Sequence, residues 1–139
     1  MVEYLNDEND KDFTKIFNKA IKKYEFEDLR SVDAEKCILL YKEGQSYVGF
    51  LEGFIDSSKV TNARIGRIIA LYVVPSYRNE GKAYTMISEF ESWIKDKDCK
   101  EIIVGMDIKN RKSQDFFQKV SFQNIGTCLV MKKSINSNL

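Results

Sequence analysis

The stretch of sequence that decides the fold contains the chain's only proline and runs Val73-Val74-Pro75-Ser76-Tyr77-Arg78-Asn79-Glu80-Gly81-Lys82-Ala83. An apolar, β-branched run ends at this proline, which cannot donate to a sheet ladder, and a helical pattern of apolar residues begins shortly afterwards. Gly81 permits a ligand to approach the backbone closely, and the free amides at the start of the helix favour an anion. We therefore predict a strand, a phosphate-binding loop and a helix.

Two common nucleotide-binding motifs do not fit this junction, which lacks both the Gly-Lys-Ser/Thr of a P-loop and the three glycines of a dinucleotide fingerprint. What remains, Val-x-Pro followed by Arg-x-x-Gly-x-Ala, resembles the pyrophosphate-binding signature of the GNAT family of acetyltransferases. Members of that family use acetyl-coenzyme A (acetyl-CoA). The order of the predicted elements is similar to that of the family along nearly the whole chain.

The resemblance implies where acetyl-CoA binds. Strand residues Leu71, Tyr72 and Val73 would offer backbone groups to the pantetheine arm, and the amides of Tyr72 and Val73 would stabilise the oxyanion formed during transfer. The pyrophosphate would lie against a loop and helix start formed by Arg78, Asn79, Glu80, Gly81, Lys82, Ala83 and Tyr84. The alternative is a buried strand followed by an ordinary turn with a solvated arginine.

A second stretch, from Asn110 to Phe122, is similar to the family's Asn-x-x-Ala-x-x-Phe-Tyr-x-x-x-Gly-Phe segment. Asn110 would then hydrogen-bond the pantetheine or pyrophosphate arm, although its side chain could instead cap the following helix. Phe117 stands where the family commonly has a tyrosine that protonates the leaving thiolate, and we expect its ring near the thioester sulfur as an apolar wall. Ser121 stands where glycine is usual.

The family's usual general base is also missing. Many relatives place a glutamate six residues before the proline, where this chain has Ile69. An alkylammonium with a pKa of about 10.4 is about three units too protonated at pH 7, which adds roughly 4 kcal/mol to the barrier unless a group removes the proton. Asp107 is the first candidate, because alternation along a predicted strand Ile102–Ile108 would put it on the face of Gly105. Glu52 is the second.

Composition excludes several classes of function. The 139 residues carry 22 basic and 21 acidic side chains and a net charge of +1, so no global field directs the chain to nucleic acid or to an acidic membrane. The chain has no histidine, which removes Ser-His-Asp and Cys-His catalysis, and Cys37, Cys99 and Cys128 lack metal-ligand spacing. We expect no metal, no membrane span and a cytoplasmic location.

Periodicity predicts one α/β (α+β) domain over residues 1–133 with a polar tail at 134–139. Apolar residues recur at helical spacing after Asn9 or Asp10, after Gly81 and from Ser113 to Val120. We expect a mixed, mostly antiparallel sheet of six or seven strands, flanked by helices and with the central strands splayed as in the GNAT family. The predicted strands are Val2–Leu5, Cys37–Tyr41, Tyr47–Ile55, Arg64–Val74, Ile102–Ile108 and one or two within Phe122–Met131.

The acceptor is predicted from a weaker resemblance, to the aminoglycoside 6'-N-acetyltransferases, seen in Val74–Arg78 and Cys99–Glu101. We expect acetyl transfer to a primary amine of an aminoglycoside-like or polyamine-like small molecule. A peptide or protein N-acetyltransferase and a catalytically weak acyl-CoA-binding or regulatory module are alternatives, and a homodimer stays open. Five acidic residues lie where the family builds its acceptor wall, although a solvated loop explains them equally well: Glu25, Glu27, Asp28, Asp33 and Glu35.

Overall fold

The computed structural model describes residues 1–57 and 63–135. The chain divides into two compact units, Met1–Gly105 and Met106–Leu139. Within the described ranges no helix combines the length and the apolar character that crossing a membrane requires. Most of the segment between the predicted strands Tyr47–Ile55 and Arg64–Val74, and most of the predicted tail at 134–139, lie outside the described residues.

The first unit is a mixed five-stranded sheet with two α-helices. The strands lie side by side in the order of the chain: β1 (Val2–Tyr4), β2 (Lys36–Glu43), β3 (Ser46–Ser57), β4 (Arg64–Val73) and β5 (Ile102–Val104). Neighbours are antiparallel from β1 to β4, and β5 runs parallel to β4. Helix α1 spans Asp10–Ala20, helix α2 spans Lys82–Lys95, and short 3₁₀ turns occupy Leu29–Ser31 and Pro75–Tyr77.

The two helices cover opposite faces of the sheet, because side chains alternate between the faces along β3. On one face Phe50 packs against Phe13 and Phe17 of α1, with ring centroids 5.4 and 5.7 Å apart. On the other face a Cβ at Gly53 would lie 2.4 Å from the ring of Phe90, so glycine is what lets α2 approach the sheet. The buried apolar side chains of α2 are Met86, Ile87, Phe90 and Ile94.

The predicted stripe of α1 is confirmed over most of its length. Phe13, Ile16, Phe17 and Ala20 are buried, whereas Ile21 lies beyond the last residue of the helix and is 44% exposed. Asn9 occupies the N-cap position, but its side chain is turned back to the preceding chain. There its Oδ1 accepts from the amide of Asn6 at 2.8 Å, and its Nδ2 donates to the carbonyl of Tyr4 at 3.0 Å.

The second unit contains helix α3, Arg111–Lys119. The Asn110 side chain caps this helix by accepting from the amide of Ser113 at 3.1 Å. The ring of Phe117 is buried and contacts Phe122, with centroids 5.1 Å apart. Ser121 has a φ of 77°, so the helix ends in the left-handed conformation for which glycine is usual, and serine adopts it here.

The predicted number of strands was wrong, because the part of the chain that the structure describes holds five. Strand β5 ends at Val104 and not at Ile108, since it pairs with only three residues of β4, Gly66–Ile68. The segment 122–131 forms no strand, and Val130 is 94% exposed. Its apolar, β-branched composition suited a strand, but a strand also needs a ladder partner and a face to bury.

Candidate active site

The sheet opens where β4 continues beyond its parallel partner. Strand β5 pairs with β4 up to the match of Ile68 with Val104, whereas β4 runs on to Val73. Over residues 69–73 this edge of β4 has no strand partner among the described residues. The ladder therefore ends before β4 does, because β5 itself ends at Val104, and backbone donors and acceptors on this edge of β4 are left without a strand partner among the described residues.

The pairing with β3 determines which backbone groups face this open edge. The amide of Val74 donates to the carbonyl of Val48 at 2.8 Å, and Tyr72 is matched with Phe50. Because backbone groups alternate in direction along an antiparallel pair, Tyr72 also directs its amide to β3. Leu71 and Val73 direct theirs to the open edge. Of the two predicted oxyanion donors, the register therefore favours Val73 and not Tyr72.

Arg78 attaches the loop after β4 to the end of that strand. Its Nε donates to the carbonyl of Val73 at 2.7 Å, and its guanidinium lies 5.7 Å from the centroid of the Tyr72 ring. The sequence suggested either a phosphate ligand or a solvated side chain for this arginine. Its structural role was missed, because a contact across five residues of irregular loop has no signature in sequence. The two terminal nitrogens of the guanidinium have no hydrogen bond within the described residues.

The loop enters α2 through two residues in the left-handed region, Asn79 with a φ of 65° and Gly81 with a φ of 81°. Gly81 occupies the N-cap position without a side-chain cap, and its carbonyl accepts the first helical bond from Thr85 at 3.0 Å. The amides of residues 82–84 precede the first intrahelical donor, so they are available to an anion at the positive end of the helix. These residues are Lys82, Ala83 and Tyr84.

The side chain of Lys82 is engaged within the protein. It is 6% exposed, and its ammonium contacts the carboxylates of Glu43 at 2.8 Å and Glu80 at 2.6 Å. The rings of Tyr41 and Tyr77 lie 5.5 and 5.6 Å from the same nitrogen. These hydrogen bonds, first to Glu43 and then to Glu80, raise the pKa of Lys82 above its ordinary value. Lys82 can therefore offer its backbone amide to a phosphate, while its charge is already balanced.

An aromatic and acidic surface flanks the end of β4. Tyr24 and Phe26 stack with centroids 5.6 Å apart, and Tyr24 lies 6.2 Å from the Tyr72 ring. Glu25 and Glu27, between and after these rings, are exposed. Aromatic faces and carboxylates together favour a cationic amine. We call Tyr24–Glu27 with the Tyr72 ring the aromatic–acidic surface.

The other acidic residues predicted for this wall are committed to ion pairs or lie apart from it. Asp28 contacts Arg30 at 2.7 Å, and the hydrogen bonds from that guanidinium hold the pKa of Asp28 below its usual range. Arg30 also reaches Asp10 of α1 at 3.1 Å. Glu35 contacts Arg64 at 3.1 Å. Asp33 is also exposed but lies outside Tyr24–Glu27. Of the five predicted residues, Glu25 and Glu27 are the two that belong to the aromatic–acidic surface.

Glu52, in the middle of β3, is fully buried. Its Oε2 accepts a hydrogen bond from the amide of Leu29 at 2.8 Å, and its Oε1 has no partner within the described residues. Burial raises the pKa of Glu52 to about 7, with the Leu29 amide opposing that rise. A signal was present in the sequence, because Phe50 and Phe54, two residues away on either side, share its face of the strand.

The remaining predicted residues belong to the second unit. Asp107 is exposed and lies outside β5, so the predicted strand alternation with Gly105 does not apply. Its Oδ1 accepts from the amide of Lys109 at 2.8 Å, and its carbonyl accepts from the amide of Asn110 at 2.9 Å. These bonds shape the turn before α3. The side chains of the described residues form no group of three potential metal ligands.

The raised pKa of Glu52 predicts how the free energy of unfolding depends on pH. Its pKa is about 7 in the folded protein against 4.5 as the ordinary value, so between these values the folded state holds a proton that the unfolded state has lost. The free energy of unfolding should fall as pH rises through this interval, by roughly 3 kcal/mol in total. Glu52→Gln should remove that component and be the more stable protein at about pH 8. Urea unfolding of the wild type and Glu52→Gln at about pH 5 and pH 8 measures this component. The same pH dependence of the free energy of unfolding in both proteins would contradict the prediction.

Comparison with known proteins identifies the family. The sequence model of the Acetyltransferase (GNAT) family matches residues 2–122. An aminoglycoside N(6')-acetyltransferase type 1 from Acinetobacter genomosp. 13 is 28% identical over 101 residues, which cover 70% of this chain and 69% of that protein. The predicted resemblance, including the similarity to aminoglycoside 6'-N-acetyltransferases, is confirmed.

Solved structures show the same fold. The aminoglycoside N-acetyltransferase AAC(6')-Iy in complex with CoA superposes with a TM-score of 0.80 at 18% identity, covering 96% of this chain and 99% of that one. A ribosomal-protein-alanine N-acetyltransferase from Brucella melitensis biovar Abortus 2308 also reaches 0.80, at 14% identity and with 96% and 98% coverage. The fold alone therefore does not distinguish a small-molecule acceptor from a protein. The open edge of β4, the loop at Gly81 and the family match agree, and the chain belongs to the acetyltransferase (GNAT) family.

Proposed function

We propose that this protein is an acetyl-CoA-dependent N-acetyltransferase that transfers the acetyl group directly to a primary amine of a small cationic molecule. The observation that carries the proposal is the continuity of the open edge of β4 with the amides at the start of α2. The open edge of β4 supplies unpaired donors and acceptors for an amide-containing arm, and the start of α2 supplies amide donors for a pyrophosphate. The residues present thus fit a coenzyme A thioester.

Backbone groups of β4 and of the loop before α2 would bind coenzyme A. Leu71 and Val73 would hold the pantetheine arm by their backbone, and the Val73 amide would donate to the thioester carbonyl as negative charge develops on its oxygen. Arg78 would keep the end of β4 in place and direct its free nitrogens to the phosphates. Asn79, Glu80, Gly81, Lys82, Ala83 and Tyr84 would contribute backbone amides, while Asn110 and Phe117 are proposed on the resemblance.

The aromatic–acidic surface supports a cationic acceptor. Its stacked rings and the exposed carboxylates of Glu25 and Glu27 would attract an ammonium group and hold it next to Tyr72. The similarity to an aminoglycoside N(6')-acetyltransferase favours an acceptor with several amines. In the transfer, the amine nitrogen loses a proton and forms the C–N bond, the C–S bond breaks, and the thiolate takes up a proton.

A thiol-release assay with acetyl-CoA and a panel of polyamines, aminoglycosides and peptide amines tests the proposed function. We expect turnover with polycationic small molecules and little with peptides. Preference for a peptide amine would support a protein N-acetyltransferase instead. Coenzyme A binding without turnover of any amine would support the weak acyl-CoA-binding module, for which the replacement of the usual acid and base by Phe117 and Ile69 argues.

Gly81→Val should abolish most of the affinity for coenzyme A. A Cβ at Gly81 meets nothing within 4 Å, so the effect comes from its φ of +81°, which valine disfavours, and from bulk beside the amides. Calorimetric titration with coenzyme A measures the loss. Gly44→Val is the matched control, since Gly44 also has a positive φ and open space but lies in the β2–β3 hairpin. Unchanged binding by Gly81→Val would place the cofactor elsewhere.

The pair Glu25→Gln and Glu27→Gln should weaken binding of a polycationic acceptor. Each substitution removes one exposed negative charge, for which we expect an increase in the acceptor KM of roughly 2–5-fold at low salt, shrinking as salt is added. The KM for acetyl-CoA should not change. Glu91→Gln, an exposed carboxylate on α2, is the control. Equal acceptor KM values for all three variants and the wild type would contradict a role for this surface.

Phe117→Tyr should restore the family's usual proton donor. The hydroxyl adds little volume, so coenzyme A affinity should stay the same, while turnover should rise or its pH dependence should shift. Steady-state rates across the pH range on a confirmed acceptor give the answer. If neither kcat nor its pH profile changes, protonation of the leaving thiolate does not limit the rate.

A further inference from the structure

Glu52 is an ionisable side chain buried in the core, where an apolar residue would suffice for packing. Among the described residues, three polar or charged side chains are buried: Asn9, Glu52 and Lys82. Glu52 is the one acid among them. Lys82 has two carboxylate partners, but Glu52 has one backbone hydrogen bond and an unpartnered Oε1. Burying a carboxylate without a cation costs stability, so a side chain of this kind needs another explanation.

The register places Glu52 next to the open edge of β4. Its Cα is matched with that of Ala70, and the pairing of β3 with β4 shifts immediately afterwards, so that Ile69 is the extra residue of a bulge. Glu52 and Ala70 lie on the same face of the sheet, and Ile69 packs on that face as well. Ala70 belongs to the open edge, so the carboxylate lies one strand in from that edge, with the methyl group of Ala70 directly opposite it.

We propose that Glu52 is the proton acceptor for the attacking amine, reached across Ala70 from the open edge of β4. The inference rests on the proposed function. The ammonium group gives one proton to the Glu52 carboxylate, directly or through one water molecule, and the freed nitrogen lone pair attacks the thioester carbonyl. As the C–S bond breaks, the second proton of the nitrogen goes to the thiolate. Glu52 then returns its proton to solvent, which restores the carboxylate.

The surroundings of Glu52 suit this role. The charged groups that face it come from one segment: Glu27 and Asp28 favour its protonated form, and Arg30, which is paired with Asp28, opposes them. Strands β2 and β4 contribute Ile38 and Ala70, and α1 contributes apolar side chains. A base works best when its pKa lies near the working pH, and burial moves this carboxyl toward neutrality.

The test compares Glu52→Gln with the wild type on whichever amine the thiol-release assay identifies. Glutamine keeps an oxygen for the Leu29 amide and loses basicity. We expect kcat at pH 7 to fall by roughly 10²–10⁴-fold, with the loss shrinking as pH rises and the amine deprotonates unaided. The inflection of the wild-type rate near neutral pH should disappear, and calorimetric affinity for coenzyme A should be unchanged. Glu91→Gln should retain the wild-type rate and pH profile.

The variant Asp107→Asn tests the alternative base, because Asp107 is the other residue predicted to accept the proton of the amine. If Glu52→Gln keeps the inflection and Asp107→Asn removes it, the proposal is overturned. A carboxyl-directed NMR titration of the coenzyme A-bound wild type needs no variant, and a Glu52 carboxyl that titrates at an ordinary value near 4.5 would also overturn it. A wild type that turns over no amine rejects the proposed function itself. A wild-type rate in Glu52→Gln on a confirmed acceptor rejects this inference alone.

Discussion

The site depends on one geometric constraint: β4 is longer than the partner that pairs with it on one side. The ladder with β5 stops at Ile68, and the strand continues to Val73 with β3 alone. Backbone groups on the free side must find other partners, and Arg78 takes the Val73 carbonyl. Because the unpaired edge leads directly into the loop before α2, an extended ligand would meet strand-like hydrogen bonding first and helix-end amides second.

Two buried ionisable side chains in the first unit differ in how many partners they have. The Lys82 ammonium is compensated by two carboxylates and two aromatic rings, so it adds rigidity to the start of α2. The Glu52 carboxylate lies among apolar groups with one amide bond. Where a charge only supports the fold, pairing is the economical solution. A charge left nearly unpaired in the same unit is better understood as a group kept ready to change its protonation state.

The sequence predicted the elements whose signals are local. The stripe of α1, the stop at Pro75 and the start of α2 after Gly81 follow from spacing and from residue type, and the structure confirms them. The extent of β5 and the state of residues 122–131 were predicted wrongly, because a strand exists only where a partner supplies the other half of each hydrogen bond.

The candidate site divides in the same way. The loop and the open edge could be located from the motif, but the contacts of Arg78 and Lys82 could not. The Arg78 contact depends on the path of an irregular loop, and the contact of Lys82 with Glu43 depends on two chain segments brought together by folding. The sequence also placed Glu52 within a predicted strand, as a candidate base. Its burial depended on which face α1 covers, and only the alternation with Phe50 and Phe54 hinted at it.

The contacts of Lys82 also bear on how an anion would be held at this loop. Glu43 comes from the end of β2 and Glu80 from the loop itself, so one ammonium is matched by two carboxylates, and the Arg78 guanidinium brings the local sum back to neutrality. A polyanion approaching α2 would therefore meet oriented peptide dipoles and little net positive charge. The attraction of a helix end for an anion falls off within the first turn, so an anion at this loop would depend on close contact with the amides and not on long-range attraction.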